Sequence, residues 1–218
     1  MKEMLLINAS PRTKGTSFVL LQMCKSYLED KGHRVELIHL YPSMSNTDEM
    51  WKAIMNADTL IFCGPCYINT YPADTIAFLE ELSAHKELLH GQSLYGIIQG
   101  GMPYVHTHES GLNLLDMFCR KCNMSFKGGF VMGMGAMLNG QPVSKLPNSK
   151  KIVRQLNIFF DHIEKDEVSP PEVYQKAQFK LPSFLFSIMA KKMNQSIDKD
   201  LRKHGIDVKQ ISPYLDSN

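Results

Sequence analysis

The densest group of side chains able to do chemistry lies near the N-terminus, in Ser10–Pro11–Arg12–Thr13–Lys14–Gly15–Thr16–Ser17. A short apolar run precedes it and a helical pattern follows. A turn of that kind aims free backbone N–H groups outward at the start of a helix, where the macrodipole favours an anion. The hydroxyls of Ser10, Thr16 and Ser17 add donors, and Arg12 adds a charge-assisted contact. An ordinary N-cap accounts for one hydroxyl. It does not account for three hydroxyls, an Arg and a Gly in one turn, so the expected ligand is a phosphate. The segment is neither a Walker A loop nor a G-x-G-x-x-G dinucleotide loop.

Cysteines and histidines offer other chemistries. Cys63–Gly64–Pro65–Cys66 spells a dithiol motif, which would imply exchange through a low-pKa thiolate. In thioredoxin that motif opens a helix directly after a strand, usually behind a Trp. Here Phe62 precedes it, and Asn69–Thr70–Tyr71–Pro72 intervene before the next helical pattern. The preferred reading makes Cys63 the end of a buried strand and Cys66 a small loop residue. Cys119–Arg120–Lys121–Cys122 repeats the spacing, but the gap is far longer than in a zinc ribbon, and both cysteines continue a Leu112–Leu115 helical stripe. His106–Thr107–His108–Glu109 is not H-E-x-x-H and reads as a polar loop. No metal site is expected.

These residues sit in a regular alternation of elements. Apolar runs at Met4–Ala9, Val35–Leu40, Thr59–Cys63, Leu94–Gln99 and Phe126–Met134 read as strands. Helical patterns at Thr16–Lys31, Asp48–Ala57, Ala73–His85, Ser110–Asn123 and Lys150–Glu164 follow them in turn. Five strand–helix units predict a parallel sheet covered on both faces, and right-handed crossovers leave few topologies. Val168–Ser169–Pro170–Pro171 is a linker signal. Beyond it Leu185, Met189, Met193, Ile197 and Leu201 recur every fourth residue among Lys191, Lys192 and Lys199, as in an amphipathic helix near Ser183–Lys203. The expected organisation is one domain over 1–167 and a helical tail over 168–218.

Three loops together resemble a known family. Ser10–Pro11–Arg12 followed by Gly15–Thr16–Ser17 is similar to the phosphate loop of the NADPH-dependent FMN reductases and the related NAD(P)H:quinone oxidoreductases. Asp58 through Tyr67 resembles their apolar strand ending in Pro, a small residue and Tyr, and Ala73 through Leu82 matches the helix after it. Gln99–Gly100–Gly101 resembles their third flavin loop. The likeness spans residues 4 to 165. It departs at Cys66, where a small aliphatic residue is usual, and at Thr16 and Ser17, where Asn and Thr are usual.

The resemblance implies a flavodoxin-like α/β fold, with a doubly wound five-stranded parallel sheet of order 2-1-3-4-5 and the C-terminal helix as an extension. Ligands in such sheets bind beyond the carboxyl ends of the strands where the order reverses. Ser10, Arg12, Thr16 and Ser17 would hold the phosphate of FMN. Pro65, Cys66, Tyr67 and Ile68 would line the ring, and Asn69 would reach the ribityl chain or ring edge. Gln99, Gly100 and Gly101 would let backbone approach the ring. The implied activity passes hydride from NAD(P)H through FMN to a quinone, a nitro or azo compound, or a free flavin.

Composition bounds the alternatives. A net charge of +2 gives no electrostatic case for nucleic acid and does not suit a strongly acidic carrier flavodoxin. An electron-transfer flavodoxin without NAD(P)H activity is one alternative, and a thioredoxin-like dithiol reductase the other. No run is apolar enough for a membrane span, no signal peptide is visible, and an odd count of five cysteines does not describe a disulfide framework, so the cytoplasm is expected. A homodimer, as in many relatives, is the expected assembly, with the tail on or beside the partner.

Overall fold

In a computed structural model, residues 1–44, 47–146, 148–178 and 183–206 are described. Five strands, β1 (Glu3–Asn8), β2 (Arg34–His39), β3 (Thr59–Pro65), β4 (Ser93–Gln99) and β5 (Ser125–Met132), form one sheet of order β2-β1-β3-β4-β5. Every pairing is parallel. The parallel sheet is the one expected from the alternation of elements, and its order is the flavodoxin-like one that the family resemblance implied. β3 and β4 are buried along their whole length, as central strands covered on both faces must be, whereas β2 at the edge alternates in exposure.

Helix α1 (Thr16–Asp30) joins β1 to β2; α2 (Leu40–Ser43) and α3 (Thr47–Asn56) join β2 to β3. Helices α4 (Ala73–Ala84) and α5 (Glu109–Lys121) carry the chain to β4 and β5, and α6 (Ser149–Lys165) follows β5. On one face α1 meets α6, with the Tyr27 and Phe160 rings 5.7 Å apart. On the other, Trp51 of α3 stacks on Phe78 of α4 at 5.7 Å, and α4 lies beside α5. Apolar residues at helical spacing, such as Ile152, Leu156, Phe159, Phe160 and Ile163 of α6, bury one stripe against the sheet.

Element limits differ from the sequence expectation by a residue or two. β3 continues to Pro65 because its ladder with β4 runs on to Pro65 and Gln99. Residues 168–178 are a larger departure. They form no free linker: Ser169 N–H bonds the Lys127 carbonyl at 2.8 Å, and Tyr95 Oη bonds the Glu167 carbonyl at 2.8 Å. A short helix α7 (Glu172–Ala177) follows, with Val173, Tyr174 and Ala177 buried. Pro170 and Pro171 start this helix, since a helix start tolerates a missing N–H. The segment covers β5, which would otherwise be an open sheet edge. The compact unit therefore runs over Met1–Phe179, and the remainder, Lys180–Asn218, is a second unit.

The second unit is described over helix α8 (Ser183–Lys203), which matches the expected tail helix. Phe184, Ile188, Met193 and Ile197 are exposed on it, beside exposed Lys191, Lys192 and Lys199. The side chains of Leu185 and Met189, two members of the expected stripe, lie outside the described residues, as do residues 207–218. No helix among the described residues is long and apolar enough to cross a membrane.

Candidate functional site

The carboxyl ends of β1, β3, β4 and β5 bring four loops together where the strand order reverses. Asn8 pairs with Cys63, Pro65 with Gln99, and Gln99 with Met132. The loops after these positions share one edge of the sheet.

The first loop is built from its own backbone. Asn8 is held by His39, whose Nδ1 lies 2.8 Å from the Asn8 amide nitrogen, and burial pushes the His39 pKa down. Asn8 Oδ1 accepts from Ser10 N–H at 3.3 Å, and Ser10 Oγ accepts from Arg12 N–H at 3.2 Å. α1 then opens with Gly15 as its N-cap and no side-chain cap. The first N–H groups of a helix have no internal partner, so those of α1 remain for a ligand. Arg12 folds back beside this opening: a Cβ on Gly15 would stand 3.7 Å from Arg12 Nε. The donor set therefore fits a phosphate.

The hydroxyls are less free than their spacing implies. Thr16 is buried and donates to the Gly135 carbonyl at 3.0 Å. Ser17 is fully buried, and its Oγ accepts from Gln99 Nε2 at 3.4 Å. The Gln99 side chain thus turns toward α1, and its Oε1 is buried without a hydrogen-bond partner among the described residues.

The second loop is a tight turn. Cys66 N–H continues the β3–β4 ladder to the Gln99 carbonyl at 2.6 Å. Tyr67 and Thr70 then bond each other's backbone at 2.6 and 3.3 Å around Ile68 and Asn69. Both central residues are left-handed, with φ of 49° and 69°, the pattern of the two-residue hairpin turn. Asn accommodates that conformation; a β-branched Ile is strained in it. Ile68 is nonetheless 96% exposed. The turn is fixed from below by Tyr71, buried and hydrogen-bonded to the Ile97 carbonyl at 3.3 Å, and by Ser110 Oγ donating to the Asn69 carbonyl.

Gly100 and Gly101 begin the third loop. Gly100 N–H bonds the Met132 carbonyl at 3.2 Å, and the Gly100 carbonyl accepts from Ala136 at 3.3 Å. His108 is buried beneath, its Nε2 3.1 Å from the Met102 carbonyl. A Cβ on Gly101 would meet nothing closer than 3.9 Å, which leaves room above this loop.

The fourth loop, 133–141, was not expected at the site. Met134 N–H bonds the Met102 carbonyl at 3.0 Å, and Arg12 Nη1 donates to Asn139 Oδ1 at 2.9 Å. The glycines at 133, 135 and 140 and the Asn139–Gly140 turn signal were the visible clues.

All five cysteines are free thiols. Cys63 Sγ faces the Ser17 carbonyl at 3.5 Å, while Cys66 Sγ faces the Thr107 carbonyl at 3.4 Å. Burial raises the pKa of both thiols, the reverse of an activated thiolate. Cys119 and Cys122 are buried at the far end of α5, at the opposite edge of the sheet, and burial pushes the Cys119 thiol up to about 12. A groove of 910 Å³ on the α1–α6 face is lined by Tyr27, Ser149, Val153, Arg154, Ile158 and Asp161, none of them among the expected site residues.

An uncapped helix start at the switch point of a parallel five-stranded sheet, ringed by loops from the strand ends, defines a flavodoxin-type nucleotide-binding protein. Residues 3–134 match the NADPH-dependent FMN reductase family, and the chain belongs to that family. Its cofactor is FMN, with a reduced nicotinamide dinucleotide as co-substrate. No curated protein matches the chain. Among solved structures, the apo form of an NADH:FMN oxidoreductase is 22% identical, with a TM-score of 0.61 over 80% of this chain and 94% of that one. A short-chain flavodoxin associated with a bacterial microcompartment is 17% identical, with a TM-score of 0.55 over 76% and 99%. General stress protein 14 of Treponema denticola, in complex with FMN, is 14% identical, with a TM-score of 0.53 over 74% and 99%. These likenesses establish the fold.

Proposed function

We propose that this oxidoreductase takes hydride equivalents from NAD(P)H and delivers them, through FMN, to a flat acceptor such as a quinone, a nitro or azo compound, or a free flavin. The bound flavin supplies the electron-transfer chemistry. The protein's part is to bind, orient and limit access. The observation that carries the reading is the α1 opening, uncapped and flanked by Arg12 at the switch point.

In this reading Arg12, Ser10, Ser17 and the N–H groups of α1, that of Thr16 among them, hold the phosphate end, with Gln99 supporting Ser17. Thr16 serves chiefly by tying down Gly135. Pro65, Cys66, Tyr67 and Ile68 would line the ring, Asn69 would reach the ribityl chain or ring edge, and Gly100 and Gly101 would let backbone approach the ring. No acid–base pair is required, because the transferred groups are hydride and electrons. Five unpaired cysteines suit a reducing compartment, which supports a cytoplasmic setting.

The test is an absorbance spectrum of the purified protein followed by anaerobic titration with NADH and NADPH. Flavin bands that bleach on addition of either, with turnover on a quinone, are the expected result. A colourless protein that does not take up FMN overturns the reading. Flavin that stays oxidised leaves an electron carrier instead.

A further inference from the structure

Residues 135–141 of the fourth loop lie outside the segment matched to the family, which ends at residue 134, and they reach the first loop. They touch it at three points. Thr16 donates to the Gly135 carbonyl at 3.0 Å. Gly140 lies so close to Lys14 that a Cβ on it would collide with the Lys14 carbonyl oxygen. Between them, Asn139 Oδ1 accepts from Arg12 Nη1 at 2.9 Å. Asn139 and Gly140 have φ of 44° and 82°. Asn and Gly are the residues that enter this left-handed region most readily, so their order here builds the turn that carries the amide to Arg12.

A guanidinium has five N–H donors in a rigid fork. Asn139 engages one and leaves the others. The Nε of Arg12 lies beside Gly15, the residue that opens α1. The amide of Asn139 thus holds a long, exposed cation against the helix opening without neutralising it, which a carboxylate in the same place would do.

We propose that Asn139 is the positioning residue for Arg12, and that through it the fourth loop sets the preference of the site for a phosphorylated flavin over an unphosphorylated one. This rests on the flavin reading above. Asn139 acts through Arg12 on the phosphate end only. It makes no contribution to the ring, so its loss changes FMN affinity and leaves riboflavin affinity where it was.

The experiment is a fluorescence titration of the flavin-free full chain with FMN and, separately, with riboflavin. The variants are Asn139→Gly, Arg12→Ala and the double substitution. Glycine is chosen because it keeps the left-handed backbone. The expected result is a loss of about two- to tenfold in FMN affinity for Asn139→Gly, the size of one net hydrogen bond, with riboflavin unchanged. The double variant should bind FMN no worse than Arg12→Ala alone. An unchanged FMN-to-riboflavin ratio in Asn139→Gly, equal losses for both flavins, or additive losses in the double variant would each overturn the proposal. A wild-type chain that prefers FMN while Asn139→Gly behaves as wild type sinks Asn139 and leaves the flavin site standing. A wild-type chain that binds neither flavin sinks both. Should Asn139→Gly fail to fold, Asn139→Asp takes its place: it holds Arg12 but cancels its charge, so FMN affinity must fall while riboflavin affinity stays.

Discussion

Gly100 and the ring of His108 compete for one space: a Cβ on Gly100 would stand 2.7 Å from His108 Cε1 and 3.1 Å from Cys66 Cβ. The His108 ring is held by its 3.1 Å contact to the Met102 carbonyl, and Cys66 by its backbone bond to Gln99, so neither can yield freely. Glycine at 100 is what lets the second and third loops close on each other. Gly100→Ala should therefore lower stability by about 1–3 kcal/mol, as overpacking does, and weaken FMN binding because both loops proposed to line the ring move. Thermal melts with and without FMN check this. A variant that melts and binds as wild type would show that the loops are not mutually fixed.

Ile68 stores strain at the exposed tip of the second loop. A left-handed L-residue costs on the order of 1–2 kcal/mol, and Asn is the residue that best tolerates it after Gly. Ile68→Asn should raise stability by about 1 kcal/mol, a rise of roughly 2–4 °C in Tm for a domain of this size. In the proposed reading Ile68 lies beside the acceptor, so the same variant should also raise KM for a hydrophobic quinone. A variant with lower Tm would mean that the turn is not strained as described.

The strands and three of the four strand-end loops were legible in the sequence, while the fourth loop and the shape of the second were not. β1, β3 and β4 are unbroken apolar runs because both their faces are buried, and that pattern needs no tertiary knowledge. The first loop was legible because its donors are consecutive. The second-loop turn was hidden because Ile68–Asn69 lacks the usual Asn-Gly or Asp-Gly signature. α7 was hidden because six residues are too few to show a period. The clasp between Arg12 and Asn139 joins residues far apart in sequence, and no local pattern encodes such a contact.

The cysteine prediction concerns pH. The folded chain holds the Cys63 and Cys66 protons more tightly than the unfolded chain, because burial disfavours the thiolate. These groups therefore favour the fold below the ordinary thiol range and lose that contribution as pH rises toward their raised folded values. Alkylation of Cys66 at neutral pH should run slower than that of a free thiol and keep accelerating above the usual thiol pKa. Cys63→Ser and Cys66→Ser should both retain reduction by NAD(P)H. Loss of turnover in both, with FMN still bound, would restore a dithiol mechanism.

The last prediction concerns assembly. Phe184, Ile188, Met193 and Ile197 leave apolar surface on α8 exposed, and such a surface calls for a cover. Asp198 and Asp200 interrupt the lysines along this helix, which tells against an anionic lipid surface as that cover. A second copy of the chain is the proposed cover, giving a homodimer whose tail lies on or beside the partner near the acceptor site. Because residues 168–178 pack against β5, a truncation must end after Gln178, not at Glu167, to leave the first unit whole. Sedimentation of the full chain should give a dimer, and the chain ending at Gln178 should dissociate more readily, with altered KM for the acceptor and unchanged FMN affinity. A full-length monomer, or a truncated chain that is an equally tight dimer with unchanged acceptor kinetics, would remove α8 from this role.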